Sequence, residues 1–345
     1  MADNTLNARI VRPRDLTAVE IAAWEHLSAT VAQLASPFLS VHYARAVAAS
    51  GLDVRVCIIY RDGKIRGFLP YQMRNRVCSW IRAAEPVGAE MTDYVGLVAE
   101  PGLRVTPDQL LKLARLNYLS FTHLDEPQLG YGLCAEQPRT GLRIRLDQTA
   151  EQPLDALLAE RHKYRKDTER RARQLVKEVG PIRFELDVVQ QRHALIEQLI
   201  ARKRAQYQRT HARDALQDGW KTQLLHQLSD LQFASCRGLL STMSAGDEWL
   251  AIHFGIIGNG ILQYWLPVYN PAFSKYAPGR LLIHNVIESS RAAAIHTIDR
   301  GEGDTAGKRE LSNEEHRFLR GAWHNRSACS SAARGYHSIK WRLPI

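Results

Sequence analysis

The chain reads as α+β, with two units in tandem, each a mixed sheet flanked by helices. Three observations predict this. Two β-hairpins, with Asp62-Gly63 and Gly246-Asp247 at their turns, each follow helical periodicity and precede short strands and helices. A length of 345 residues suffices for two cores. Hydrophobic residues at 45% and charged residues at 24% are ordinary for a globular protein. No run reaches the roughly 18 uninterrupted apolar residues of a membrane span. The expected division is a unit over 1–150, a second over 151–325 and a basic tail over 326–345.

Residues 18–34 put Ile21, Trp24, Leu27, Val31 and Leu34 on one helical face. Ser36-Pro37 breaks that helix, and 41–49 is a second. Residues 54–60 and 64–71 flank Arg61-Asp62-Gly63, a strong hairpin signal. A strand over 95–98, a helix over 107–116 and strands over 119–124 and 142–146 complete the first unit. The second repeats the order. Residues 154–179 read as one long basic helix, stopped by Gly180-Pro181. A strand over 183–188, helices over 193–208 and 219–231, and a hairpin of 237–244 with 248–257 follow.

The stretch 263–308 organises the rest. An aromatic-rich strand over 261–268 leads through Asn270-Pro271 to a helix beginning near Pro278, a good first-turn residue. A strand over 296–299 and a glycine-rich exit (Gly301, Gly303, Gly307) come next. Strand, loop, helix start and strand form a device for holding an anion, because bare amides and the positive end of the helix dipole share one crevice. The charge agrees: the net is +2 over 1–150 and +8 over 151–345. Such a field steers a nucleotide-bearing cofactor, nucleic acid or an anionic membrane alike. Cys57, Cys78, Cys134, Cys236 and Cys329 are odd in number and scattered, which argues against a disulfide framework or a metal site. The first 15 residues have no apolar signal core, so a cytoplasmic protein is expected.

The segments FGIIGNGILQYWLPVYNPAFSKYAPGRLLIHNVIESS and IDRGEGDTAGKRELSN resemble the GNAT-type acyltransferases of the CelD/BcsL cellulose-biosynthesis group, relatives of the FemABX aminoacyltransferases. RHKYRKDTERRARQLVKEVGPIRFEL and LIARKRAQY carry the same likeness, which covers most of 35–320 and is strongest over 155–312. The resemblance implies tandem GNAT-like domains, the first degenerate and the second binding acetyl-CoA or another acyl-CoA as co-substrate, with no metal. It implies a saccharide or other small-molecule acceptor and a membrane-associated polysaccharide synthase as partner. The family's pyrophosphate loop corresponds to Ser274 with Lys275, Tyr276, Ala277, Pro278, Gly279, Arg280 and Leu281, and holds one glycine here. Lys203, Tyr207 and Lys308 match family positions near the acceptor or the exit loop.

Acyl transfer needs a base for the nucleophile, donors for the carbonyl oxygen and an acid for the departing thiolate. His253 is the candidate base, since alternation over 249–257 places it with Ala251 and Gly255, on a face a ligand can approach. Asp299, at a strand end, is a candidate to orient the acceptor or His253. Tyr264 is a candidate proton donor. On the basic helix, Lys163 and Arg165 are candidate acceptor contacts, beside the plain reading of a solvated face. Without aromatic interleaving that helix gives no argument for nucleic acid. Two alternatives stay open: an aminoacyltransferase drawing on aminoacyl-tRNA, and a non-catalytic partner of a polysaccharide synthase. The sequence after Glu315 is basic and reads as an exposed tail.

Overall fold

The computed structural model describes residues 5–327 and Ser331. In chain order the elements are β1 (Asn7–Val11), α1 (Ala18–Thr30), α2 (Val41–Ala49), β2 (Asp53–Arg61), β3 (Lys64–Met73), α3 (Arg76–Ile81), β4 (Ala83–Ala84), β5 (Val98–Ala99), α4 (Pro107–Leu113) and β6 (Tyr118–Asp125). They continue with β7 (Gln137–Arg145), α5 (Pro153–Leu158), α6 (His162–Glu178), β8 (Ile182–Glu185), α7 (Arg192–Arg209), α8 (Gly219–Ser229), β9 (Gln232–Phe233) and β10 (Cys236–Ala245). The last are β11 (Glu248–Gly258), β12 (Ile261–Tyr269), α9 (Pro278–Glu288), β13 (Thr297–Glu302), α10 (Ala306–Arg309) and β14 (Glu314–His324). The chain divides into one unit of Met1–Thr140 with Arg317–Ile345 and another of Gly141–His316.

In the first unit the strands run β1-β2-β3-β5 in one sheet and β4-β6-β14 in another run. The hairpin of β2 and β3 turns at Asp62 and Gly63, both at positive φ (53° and 72°), the twist a two-residue turn requires. Capping boxes start α1 (Thr17 with Glu20) and α4 (Thr106 with Gln109), each satisfying amides that the helix itself leaves bare. The buried core gathers Ile59, Leu69, Tyr71, Leu97, Leu110, Phe121 and Leu124.

The second unit has the order β7-β13-β12-β11-β10-β8, with β9 on β10. Only β12 and β13 run parallel among these pairs, so the sheet is mixed and helices flank it. The apolar stripe of α9 (Leu281, Leu282, Val286) buries against Leu239, Leu250 and Leu262. Removing about 25 cal/mol of unfavourable hydration per Å² of apolar surface is what seats it.

Three sequence expectations need correction. The long basic helix is two helices, α5 and α6, separated at Ala159–Arg161, where Arg161 leaves the helical region (φ −106°, ψ 46°). Its guanidinium donates instead to the carbonyls of Leu157 (2.7 Å) and Ser312 (3.0 Å), a distant contact that periodicity does not carry. The stretch after Glu315 is a strand over most of its described length, β14, paired with β6. Its alternating charges disguise a half-buried strand as a tail. The remaining tail residues, including Arg334, Lys340 and Arg342, fall outside the described residues. The third concerns the face of His253, which Tyr264 of the same chain covers.

Candidate active site

Three pairs hold β12 and β13 together: Ile261 with Thr297, Leu262 with Ile298, and Gln263 with Asp299. Beyond them β12 continues to Tyr269 and β13 to Glu302, and among the described residues no further pair joins the two. At the same point β12 slips against β11. Gln263 faces Ile256 and Leu266 faces Phe254, so two residues of β12, Tyr264 and Trp265, stand opposite the single Gly255 and neither pairs with it. Glycine is required there: a Cβ on Gly255 would lie 2.4 Å from the Gln263 carbonyl oxygen. Bulges of this kind interrupt a ladder and re-aim a side chain. Tyr264 therefore begins the parted segment and stands in register with no residue of either neighbour. The parting lies at the carboxyl ends of parallel strands, where crevices form in such sheets.

The helix that follows β12 starts as expected, at Pro278. Its cap, Ala277, sits at φ 54°, a left-handed conformation that normally selects glycine. The Arg280 and Leu281 amides turn back to the Ala277 carbonyl (2.9 and 3.3 Å) and Pro278 has none, so Gly279 supplies the amide at the mouth. A Cβ on Gly279 would meet only Tyr269 Cδ1, at 3.9 Å, so open space lies beside the helix start and the end of β12.

The charged side chains of this turn are already balanced. Lys275 donates to Glu178 (2.7 Å), which also accepts from the Tyr276 hydroxyl and is held down to about 2 by these hydrogen bonds. Arg280 pairs with Asp167 (3.2 Å) and Glu310 (2.7 Å) and lies 4.7 Å above the Tyr164 ring. Arg171 donates to the Lys275 carbonyl. The basic helix α6 thus docks on the loop through Asp167, Arg171 and Glu178. Leu281 packs in the core. An anion at this turn would be met by backbone, with side-chain charge supplied only by rearranging these pairs.

His253 is fully buried, and its face is filled by the protein itself: its ring stacks on Tyr264 at 4.1 Å and 14°. The expectation that small neighbours leave this face approachable is therefore corrected; Gly255 serves the bulge instead. Burial drives the imidazole down to about 3, so it stays neutral at ordinary pH. Burial pushes the Tyr264 hydroxyl well above its usual range. Among the described residues neither His253 nitrogen nor the Tyr264 hydroxyl has a hydrogen-bond partner. Each such buried orphan costs about 1–3 kcal/mol, which a protein retains where the group is used.

Asp299 is buried and accepts from Arg143 Nε (2.9 Å) and the Gly301 amide (2.8 Å), with His316 Nε2 at 3.8 Å. Sequence reasoning missed Arg143 and His316, which come from β7 and β14. It also missed Arg300, largely buried and donating to the Gly307 and Lys308 carbonyls. Lys308 turns its ammonium to the Glu302 carbonyl (2.7 Å). On α7, Lys203 donates to the carbonyl of Pro267 (3.0 Å), inside the parted part of β12, and burial brings it down to about 8. Tyr207 lies beneath it, the ammonium 5.5 Å from the ring centre. Arg165 pairs with Asp155 and Glu169, and Lys163 is exposed. The structure thus brings Tyr264, His253 and Lys203 to the parted strand, Gly279 to its end, and leaves Lys163 and Arg165 on an outer face of α6. The signal for the bulge was a glycine inside an otherwise apolar strand.

Residues 162–309 match the family model described as an acetyltransferase (GNAT) domain. No curated protein matches the chain. Among solved structures, FemX superposes with a TM-score of 0.58 at 11% identity, covering 90% of this chain and 97% of FemX. The C-terminal domain of a protein from Agrobacterium fabrum, described as a lysylphosphatidylglycerol synthetase, superposes at 0.53 and 13% identity, covering 92% of this chain and 97% of that one. At such identity the likeness is one of fold, and it spans both units. Residues 162–309 carry a GNAT-type domain, and the protein is an enzyme of the acyltransferase type.

Proposed function

We propose that the second unit transfers an acyl group directly from a coenzyme A thioester to an amine or hydroxyl, with a sugar or polysaccharide precursor as acceptor. The observation that carries this is the Tyr264 hydroxyl, a buried donor without a partner at the first residue of the parted strand. A thioester bound there would supply an acyl carbon with a thiolate as leaving group. Gly279, bare at the start of α9, leaves room for a diphosphate to approach the backbone. Tyr264 holds its proton at neutral pH and hands it to the departing sulfur as the acyl–sulfur bond breaks. As the acyl–nitrogen or acyl–oxygen bond forms, the acceptor's proton restores the hydroxyl, so protons balance over a turnover. Lys203, cationic below about pH 8, faces the parted segment and stabilises the carbonyl oxygen as it gains charge. His253, neutral down to about pH 3, acts in this reading as the surface on which the Tyr264 ring is held. A polysaccharide synthase at a membrane remains the partner this reading favours.

Titration calorimetry with coenzyme A and acetyl-CoA tests the donor: saturable heat is expected, and Tm is expected to rise with ligand. Absence of both would remove the thioester. A second reading, aminoacyl-tRNA as donor, has the fold likeness to FemX and the exposed Lys163, Lys166, Arg173 and Lys177 of α6 behind it. Binding of charged tRNA that falls steeply with salt would favour it instead.

A further inference from the structure

The first unit holds a cleft of ≈ 590 Å³ that the acyl-transfer reading does not use. Arg82, Lys112, Arg115 and Arg326 line it with a single carboxylate, Asp108, and with His324. All four cations are exposed, and among the described residues none is ion-paired. Its floor is built rather than accidental. Asn325 donates to the Asn117 side-chain oxygen (2.9 Å), Asn117 donates to the Ile81 carbonyl (2.9 Å), and the Asn117 amide reaches the Arg82 carbonyl (2.9 Å). Two of the arginines, Arg82 and Arg115, sit at φ 56° and 54°, a left-handed conformation that arginine rarely takes and that here turns the chain at the cleft wall.

Immediately before Arg82 the short helix α3 exposes Trp80 (82%) and Val77 (64%), one turn apart on a single face. Arg76, on the same helix, is also exposed. Trp80 is the most exposed large apolar side chain among the described residues, and it closely precedes Arg82 of the cleft in the chain. A free phosphorylated compound needs the cations but gives no reason for a bare Trp–Val pair. An anionic bilayer uses both: headgroup phosphates meet the cations, while an indole ring settles at the level of the headgroups. No helix among the described residues is long and apolar enough to cross a membrane, so the contact would be peripheral.

We propose that the first unit docks on an anionic lipid surface, with headgroup phosphates in the cleft of Arg82, Lys112, Arg115 and Arg326 and Trp80 and Val77 in the interface. The test is flotation of the full chain with phosphatidylcholine vesicles, with and without phosphatidylglycerol. Binding is expected only with the anionic lipid and is expected to weaken with salt. Arg82→Asn with Arg115→Asn keeps residues that tolerate the left-handed backbone while removing two charges. At about fivefold per cation near a charged surface, partition should fall roughly 25-fold. Trp80→Ser should weaken it further while melting is unchanged. Should the double variant melt early, Lys112→Glu, on an exposed face of α4, reads the same charge. Equal flotation with neutral vesicles, or undiminished binding in these variants, overturns the proposal. So does calorimetric binding of glycerol phosphate as tight as that to vesicles together with no effect of Trp80→Ser, which would make the cleft a site for a free phosphate. Retention of a short nucleic acid duplex with no vesicle binding overturns it in favour of a different polyanion.

Discussion

Each unit contains a parallel strand contact, and the two treat it in opposite ways. In the first, Ala83 pairs with Tyr118, Ala84 with Leu119, and Val95 bridges Leu124, so parallel contact persists along β6. The space beside it is closed by the chain itself. Gln128, buried, accepts from the Leu97 amide (2.9 Å) and donates to the Leu97 carbonyl (3.2 Å), so tightly that a Cβ on Gly96 would lie 2.4 Å from its side-chain Cδ. Tyr131 donates to the Ala99 carbonyl (2.8 Å). In the second unit the strands part after Gln263 and Asp299, β12 bulges, and a tyrosine hydroxyl and an imidazole remain without partners. A parallel strand contact is thus closed by side-chain hydrogen bonds in one unit and parts beyond Gln263 and Asp299 in the other. Hydrogen-bond satisfaction, more than strand direction, is what differs between the two contacts.

The largest effect expected is that of Tyr264→Phe. If Tyr264 is the proton donor, turnover should fall on the order of 10²–10⁴-fold while donor affinity by calorimetry holds. Melting should not suffer, because an orphan hydroxyl is removed. Turnover within a few-fold of the parent would strip the residue of that role. Gly279→Asp comes next. The new Cβ has room and an acid suits a helix start, so Tm should hold; the carboxylate occupies the diphosphate position, and donor affinity should drop on the order of 100-fold. Retained affinity would place the diphosphate elsewhere.

His253→Phe tests the burial of this imidazole beside the parted strand through pH. The native imidazole titrates at about 3 and the unfolded one at its ordinary 6.5. Its contribution is whole above 6.5 and is lost as pH falls, because the unfolded chain takes up a proton that the native one refuses. The slope is about 1.4 kcal/mol per pH unit. Denaturant titrations from pH 7 to pH 4 should show that slope flattened in the variant; identical slopes would mean that the native ring is protonated in place. The smallest effect is Gln128→Ala. Unmet Leu97 groups should cost about 1–3 kcal/mol with donor affinity and turnover untouched. A loss of donor affinity there would give the first unit a site of its own and break the contrast.

Much of this was legible beforehand. The Asp62-Gly63 and Gly246 turns, the Pro278 helix start and the α9 stripe follow from local chemistry, and each lies where the pattern put it. The break between α5 and α6 was not, because Arg161 is pulled out of the helix by the Ser312 carbonyl, 151 residues away. Nor was β14, whose partners on β6 supply the reason for its half-buried alternation. Within the site, Tyr264 and Gly279 were nameable from neighbours in sequence. The Arg143–Asp299 pair joins residues 156 positions apart.

Periodicity, turn chemistry and a helix start are short-range properties, decided by sterics within a few residues; the chain alone therefore determined its class, most of its elements and the loop before α9. Which polar groups find partners is decided across the sheet, by strands distant in sequence. Only the tertiary structure could seal His253, balance Lys275 and Arg280 with carboxylates of α6, and leave the Tyr264 hydroxyl bare where two strands separate.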